Sequence, residues 1–390
     1  MSAQLKSVDQ LEAFRRETRA WLEANCPAEM RQPIAEEGDV CWGGRRWKFK
    51  NDAQRAWLER MAERGWTVPE WPKEYGGGGL AKEEARVLRE EMARLACRLP
   101  LTSFGISMLG PALLKYGNEQ QKREHLPKIV RGEIRWCQGY SEPGAGSDLA
   151  SLKTRADDKG THYLINGSKI WTSYAHSADF CFLLTRTEGA KHAGITIFLL
   201  DMKTSGIDVR PIGSVVGEGD IHEVFFTNVF APESARLGEE GKGWAVVRAA
   251  LHFERVGAAR YEAARRTVLK AVAALRRRSA FSDPIVRSRA ATALALARAA
   301  RLLAYVVIDG RAKGLQAGAE TSIARYAMYE ADKAAGAFVA EFTPEALFDD
   351  GDGQLQFEYA SAATVGIAAG SAEVQLNLIA RDGLHLPSMK

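Results

Sequence analysis

The spacing of apolar residues changes twice along the chain, and it divides the sequence into three regions. Over residues 8–131 the spacing is helical, apart from a Gly/Pro-rich interruption at 71–79. Over 136–231 β-forming residues dominate, and turn signals separate short runs. Beyond the glycine-rich loop at 238–243, helical spacing returns in long segments.

These regions predict an α+β protein with three domains: an all-helical N-terminal domain (1–134), a compact antiparallel β-domain (135–237) and a C-terminal helical bundle (238–390). The strands expected in the β-domain are 161–171, 180–185, 195–200 and 224–230. The four helices expected in the bundle are 244–278, 284–314, 321–342 and 357–383. The order has no βαβ rhythm, which disfavours a Rossmann nucleotide-binding domain.

Two glycine-rich loops lack the fingerprints of nucleotide sites. Gly144-Ala145-Gly146 has no third glycine at Leu149, and Gly241-Lys242-Gly243 is not followed by the Ser or Thr of a phosphate loop. Neither loop is therefore a standard mononucleotide or dinucleotide fingerprint.

Composition and charge exclude several classes of function. The 390 residues carry 53 basic and 49 acidic side chains, spread along the chain, so neither a nucleic-acid partner nor a membrane-binding tail is expected. The five cysteines are odd in number and form no Cys-x-x-Cys pair, which argues against a disulfide framework and a structural zinc site. No signal peptide begins the chain, and no run approaches about 18 uninterrupted apolar residues. We therefore expect a cytoplasmic protein that does not cross a membrane.

One carboxylate falls on the apolar stripe of a predicted helix. Val247, Leu251, Glu254 and Ala258 follow the spacing that places residues on one helix face. A buried carboxylate is costly unless it has a function, and general-base catalysis is one such function. Spacing alone favours the alternative, a glutamate at the edge of the face that pairs with a neighbouring arginine.

Two segments of the β-domain carry a concentration of polar chemistry. The stretch from Trp136 to Asp148 runs from a strand into a Gly/Pro loop whose hydroxyls and N–H groups could bind a ligand, or could simply form a tight connection. Lys169-Ile170-Trp171-Thr172-Ser173 combines a large aromatic ring with two hydroxyls, which suits stacking on a planar ring and hydrogen bonding to its edge. The alternative is a buried tryptophan at the mouth of a barrel.

With the loop 141–148, the segment 169–173, Glu223-Val224-Phe225-Phe226 and Gly370-Ser371-Ala372-Glu373-Val374-Gln375 in this order, the chain resembles the acyl-CoA dehydrogenase family over nearly its whole length. The resemblance implies an N-terminal helical domain, a middle antiparallel β-barrel domain and a C-terminal four-helix bundle. It also implies FAD bound between the last two domains, with an acyl-CoA thioester against the flavin. The reaction implied is α,β-dehydrogenation, in which a base removes the Cα proton while the β-hydride passes to flavin N5.

Similarity to the family also assigns roles to individual residues of the β-domain. Ser141 is expected to hydrogen-bond the flavin, and Trp171 to pack near the isoalloxazine. Thr172 is expected to contact the flavin through its backbone, and Ser173 to donate toward N5. Ser147 is expected to approach the coenzyme A chain.

Other roles fall in the C-terminal region. Arg278 resembles the arginine of an Arg-x-x-Phe element that meets the flavin pyrophosphate of a neighbouring subunit. Ser371 has the character of a helix N-cap, so the default role of Glu373, in the first turn of that helix, is structural. By similarity, Glu373 has a binding role near the flavin ribityl or adenosine portion of a partner subunit.

The catalytic base is the main departure from the common family pattern. Many members carry a glutamate where this chain has Ala369, which cannot accept a proton. A second branch carries its glutamate in a Glu-Arg pair on the first helix of the bundle, and Glu254-Arg255 occupies that place. Glu254 is therefore the expected base, with Arg255 near the coenzyme A.

Two more departures concern the flavin site. A Gly-Gly-x-Gly segment is not clear in 347–353, and the glutamine usual after Pro284 is missing from 285–289. The expected assembly is a homodimer or homotetramer that passes electrons to an electron-transfer flavoprotein. Because of these two departures, a heterotetramer with a paralogue is a further alternative. The alternatives are a non-catalytic or half-site subunit of such a heteromer, and a flavin monooxygenase of the same fold.

Overall fold

The computed structural model describes residues 7–34, 36–189, 191–215, 217–254, 262–313, 315, 318–348, 354–368 and 370–387. Within this range, the side chains that lie outside the description are those of 217, 218, 249, 251–254, 311, 312 and 354. The chain forms two compact units, one made of 1–212 and 219–250 and the other of 213–218 and 251–390.

The first unit begins with helices. They are α1 (Val8–Asn25), α2 (Asp52–Glu63), α3 (Lys82–Arg94), α4 (Gly110–Tyr116) and α5 (Glu119–Val130). α1 starts at a capping box, in which the Ser7 hydroxyl accepts from the Gln10 N–H and the Gln10 side chain accepts from the Ser7 N–H. The helical spacing predicted for this region is confirmed.

A buried carboxylate joins α1 to α3. Glu91 of α3 has a side chain only 2% exposed and accepts hydrogen bonds from Arg15 and Arg19 of α1 and from Arg94. These guanidinium groups outweigh the effect of burial and lower the pKa of Glu91 to about 2.

An eight-stranded sheet follows the helices in this unit. Its strands are β1 (Trp136–Gly139), β2 (Arg155–Asp158), β3 (His162–Ser173), β4 (Phe180–Arg186), β5 (Ile195–Asp201), β6 (Ile207–Ser214), β7 (Gly217–Pro232) and β8 (Arg236–Leu237). Their order is β6-β7-β3-β2-β4-β5-β8, with β1 beside β4. The four predicted strands correspond to β3, β4, β5 and β7.

The sheet is mainly antiparallel but contains two parallel pairings. β1 pairs with β4 from Trp136↔Phe180 to Gly139↔Leu183, and β2 meets β4 at Arg155↔Arg186. The expectation of antiparallel pairing throughout did not include these contacts, because a parallel neighbour needs a long crossover connection that local periodicity does not reveal.

Further helices follow the sheet along the chain. They are α6 (Gly243–Glu254), α7 (Ala263–Arg277), α8 (Pro284–Ala312), α9 (Ala319–Phe342), α10 (Gln354–Thr364) and α11 (Ala372–Leu378). In the second unit α7, α8 and α9 pack on one another, and α10 and α11 pack on α9. The single helix predicted for 357–383 is divided, because the chain turns near Gly370, whose φ of +87° favours glycine.

The apolar composition of α8 has a packing explanation. By length and hydropathy, the stretch Pro284–Gly310 is the one helix among the described residues that could span a membrane. Its small buried residues recur at helical spacing and pack against α7 and α9 in the bundle core: Ala290, Ala293, Ala297, Ala300 and Ala304. Short side chains at these positions allow close helix packing.

We predict that Glu91→Gln lowers the free energy of unfolding by about 1.5–3 kcal/mol at neutral pH, because the three arginines lose a charged acceptor. The depressed pKa stabilises the fold above the unfolded-state value near 4.5, and this contribution is lost as pH falls toward about 2. Urea unfolding of both proteins across this range measures the difference, which should narrow with acidity.

The matched control is Glu90→Gln, since Glu90 also pairs with Arg15 but is 45% exposed. It should change stability by no more than about 0.5 kcal/mol. A Glu91→Gln effect that stays constant down to the acid limit would contradict the assignment.

Candidate active site

The loop between β1 and β2 is fastened to the edge of β3. Glu142 and Ala145 exchange backbone hydrogen bonds of 3.0 Å, which closes a tight turn. One residue earlier, the Ser141 carbonyl accepts from the Ile170 N–H at 2.9 Å. Ser141 and Trp171, two of the residues predicted to bind the cofactor, are therefore brought to the same place.

A buried ion pair holds this loop. The Glu142 carboxylate accepts from Lys169 Nζ at 2.8 Å and from the backbone N–H groups of Lys153 and Thr154 at 2.6 and 2.8 Å. Lys169 is fully buried, and its ammonium also donates to the Tyr140 carbonyl at 3.1 Å. Loop and strand are thus fixed by a charged contact that is shielded from water.

The electrostatics of the pair favour its ionised form at neutral pH. Burial lowers the pKa of Lys169 to about 8, against the opposing effect of Glu142. Burial would raise the pKa of Glu142, but Lys169 and the N–H donors outweigh it and hold that pKa below its usual range.

Sequence reasoning missed this pair, although a signal for it existed. Tyr163, Ile165 and Lys169 fall on alternate positions of β3 and are all buried. A lysine on the inward face of a strand needs a partner, just as a carboxylate on an apolar helix face does.

The end of β3 presents an exposed indole and two hydroxyls. Pairing with β7 shifts register between Lys169 and Thr172, and Trp171 adopts a φ of +60° and is 59% exposed. A bulge of this kind re-aims a side chain, and positive φ at a bulky residue carries strain that is common at functional sites. Ser173 ends the strand and is half-buried.

These residues fit a flavin. Thr172 is 1% exposed, and its hydroxyl has no hydrogen-bond partner among the residues that the structure describes. The exposed face of Trp171 and the partly exposed Ser173 suit a planar heterocycle with polar edges.

Two histidines lie behind this segment. His222 of β7 pairs in register with Thr172, and its Nδ1 lies 3.3 Å from the Thr172 carbonyl. His176 Nδ1 lies 3.0 Å from His222 Nε2. Burial lowers the pKa of both histidines, which favours neutral rings that support the strand end.

No group of three or more potential ligands in the described part of the chain could hold a metal ion.

The remaining residues with predicted roles stand apart from this segment in the sequence. Ser147 is exposed at the far end of the loop. Arg278 follows α7 and forms an ion pair with Glu345. Glu373 is exposed in the first turn of α11, where the Ser371 hydroxyl caps the helix by accepting from the Val374 N–H. The pKa of Glu373 is lowered by its own N–H and by Ser371.

Several residues with predicted roles lie outside the described part of the chain. The structure does not describe Arg255, Ala369, residues 349–353 or the side chain of Glu254. The backbone of α6 is described as far as Glu254, and Val247 and Ala250 on this helix are fully buried. Position 254 continues their spacing by seven and four residues.

Family models cover almost the whole chain. The acyl-CoA dehydrogenase N-terminal domain matches residues 9–133, the middle domain 137–229 and the C-terminal domain 241–384. Among curated proteins, the acyl-CoA dehydrogenase IpdE1 of Mycobacterium tuberculosis is 36% identical over 384 residues, covering 97% of this chain and 98% of the relative.

Solved structures agree with these matches. The structure of the Tcur3481-Tcur3483 steroid ACAD has 30% identity and a TM-score of 0.79, and the alignment covers 99% of this chain and 100% of that one. The ChsE4-ChsE5 complex from Mycobacterium tuberculosis has 27% identity and a TM-score of 0.74, with 99% and 100% covered. Each of these two structures is named for two components.

We predict that Lys169→Met lowers the free energy of unfolding by about 3–5 kcal/mol, because Glu142 then stays buried without a counter-charge. The double variant Glu142→Gln/Lys169→Met should be more stable than the sum of the two single changes implies. Denaturant unfolding of the four proteins measures this coupling.

Lys153→Met is the control, since this exposed residue contributes only its backbone N–H to Glu142. Its stability should stay within about 0.5 kcal/mol of the parent. If the changes in the free energy of unfolding of the two single variants were additive in the double variant, the Glu142–Lys169 pair would not stabilise the loop.

Proposed function

The chain belongs to the acyl-CoA dehydrogenase family, a family of oxidoreductases, and from this we propose that it catalyses the FAD-dependent α,β-dehydrogenation of an acyl-CoA thioester to the 2-enoyl-CoA. The observation that carries the proposal is the strained, exposed Trp171 close to the partly exposed Ser173 at the end of β3. Strain of this kind persists where the surrounding structure maintains it for a function.

FAD is the cofactor implied by the family, and it supplies the capacity to accept the β-hydride. Ser141, Trp171, Thr172 and Ser173 would hold it in the first unit. The fastening of the loop to β3 by Lys169 and Glu142 supports this assignment, since binding residues need rigid support. Arg278 and Glu373 are the residues proposed to bind the flavin of a neighbouring subunit.

Glu254 is the proposed base for the Cα proton. The buried positions of α6 support it, because helical spacing puts residue 254 on the same face as Val247 and Ala250. A carboxylate in a dry site has a raised pKa and can take a proton near neutral pH. We assign contacts with coenzyme A to Ser147 and Arg255.

The proposed substrate class is a CoA thioester with a bulky or ring-bearing acyl group. One solved relative is named as a steroid enzyme, and that relative aligns with almost the whole chain. Carrying this substrate class over to the present chain is part of the proposal.

We further propose that the chain works as an oligomer in the cytoplasm, keeps the three-domain division and passes electrons to an electron-transfer flavoprotein. α8 supports association, because Leu302, Tyr305 and Val306 share one face and are 51%, 49% and 59% exposed. A homodimer or homotetramer and a heterotetramer with a paralogue both fit such a surface.

The second candidate function is a half-site or non-catalytic subunit of a heteromer. The two-component names of the solved relatives favour keeping it. Under this alternative, the flavin site would need residues from a paralogous chain.

We predict that Glu254→Gln slows anaerobic flavin reduction by a good thioester substrate by about 10²–10⁴-fold, since the base for the Cα proton is lost. The flavin absorption band should remain, because the residue does not hold the cofactor. Stopped-flow absorbance measures both quantities.

Glu373→Gln is the comparison variant and should mainly reduce flavin retention. If Glu254→Gln reduced its flavin at the parental rate, a different residue would be the base.

We also predict that the protein purified alone carries flavin, and that at least one straight, branched or cyclic acyl-CoA bleaches its visible band without oxygen. A colourless protein, or a band that no thioester bleaches, would favour the half-site alternative.

A further inference from the structure

A buried arginine packs against a pair of aromatic rings just beyond the proposed flavin-binding segment. The Arg135 guanidinium is 4.8 Å from the ring centroid of Trp42 and 4.8 Å from that of Tyr174. The two rings are themselves 4.8 Å apart, and Phe104 lies 6.3 Å from each. We call Arg135, Trp42, Phe104 and Tyr174 the arginine cage.

The charge of Arg135 lacks a close counter-ion. Arg135 is only 7% exposed. Among the described residues, no carboxylate lies within salt-bridge distance of its guanidinium, and no acceptor forms a hydrogen bond with it. Asp179 is near, but its carboxylate accepts from the backbone N–H groups of Arg45 and Arg135. Glu37 and Asp220 also lie near and are exposed to solvent.

An unpaired buried charge is costly, and aromatic faces compensate only part of that cost. Burial accordingly lowers the pKa of Arg135, as expected for a cation without a close partner. The guanidinium packs against both rings from one side, since the three centres form a triangle with sides of 4.8 Å. Its N–H groups have no protein acceptor among the described residues, and a guanidinium suits a planar, bidentate acceptor such as a carboxylate.

The backbone is shaped to hold the cage. Tyr174 has a φ of +58° and is therefore left-handed, like Trp171 three positions earlier. On the opposite wall, a Cβ on Gly44 would come within 3.0 Å of Arg135 Cβ and 3.1 Å of Asp179 Oδ2. The three aromatic side chains are only half-buried, so the cage is not sealed by the residues that form it.

We propose that the arginine cage recognises a carboxylate on the acyl group of the substrate, so that the preferred thioester carries a second, free acid. The inference rests on the proposed function, because Tyr174 directly follows Ser173, the residue assigned to the reactive edge of the flavin. Because the Cα atoms of consecutive residues are about 3.8 Å apart, one wall of the cage adjoins the residue assigned to the flavin edge. Arg135 is the specificity-determining residue, and the rings position it.

The test compares thioesters that differ only in this charge. A chain-length series of carboxyacyl-CoA esters is paired with the corresponding methyl esters, and kcat/KM and the dissociation constant by calorimetry are measured for each. The parent holoprotein should favour the free acid by about tenfold or more at the best length, as a charged hydrogen bond implies.

Arg135→Met should remove this preference while kcat/KM for the methyl ester changes by less than about threefold, and Arg135→Lys should retain part of the preference. The control is Arg131→Met, because Arg131 is exposed and pairs with Glu133. It should keep the full preference. A purely structural Arg135 would give equal losses for acid and ester.

Three outcomes would overturn the inference. The parent could bind the acid and the ester with equal affinity at every chain length. Alternatively, Arg135→Met could weaken the binding of acid and ester equally, or could weaken the binding of free coenzyme A. The last result would assign the arginine to a coenzyme phosphate. If Arg135→Met failed to fold, the parent comparison and Arg135→Lys would still decide. If no thioester were oxidised, the proposed reaction would fail, while calorimetry would still decide whether the cage binds the acid.

Discussion

The ion pair between Glu142 and Lys169 is the contact on which the proposed site depends. It joins the loop after β1 to the middle of β3, and both charges lie away from water. Gly139 lies next to it, and a Cβ there would clash with Leu183 Cδ1 at 2.7 Å and with Cys181 Sγ at 2.9 Å, so the chain beside the pair packs too closely for a side chain. A buried pair adds little net stability compared with apolar residues, but it fixes one register between the segments it links.

With the loop fixed in this way, the strain at the end of β3 has a physical basis. Trp171 and Tyr174 both adopt left-handed backbone conformations, which cost free energy in non-glycine residues. The register shift against β7, the Ser141–Ile170 hydrogen bond and the neutral His176–His222 pair hold the segment from several sides. The indole is thereby held outward, while Thr172 is held inward.

Local patterns predicted the elements that local interactions determine. The limits expected for β4 and β5 differ from those observed by one residue, and α8 ends two residues before its predicted end. Continuous buried runs mark the two strands, and helical spacing marks the helix. The bulge at Trp171 and the parallel partner of β1 could not be predicted, since both depend on contacts between distant segments. The same holds for the candidate site. The hydroxyl and indole residues were predicted from the sequence, whereas the Glu142–Lys169 pair and the arginine cage are visible only in the folded structure.

The position of β1 beside β4 also has a consequence for how the molecule is made. Trp136 pairs with Phe180, so β1 has to wait until β2, β3 and β4 have left the ribosome before it finds its neighbour. Such non-local pairing slows folding and leaves an apolar strand edge exposed to other chains in the meantime. Nascent chains that stall between these two strands therefore expose an unpaired edge that favours aggregation.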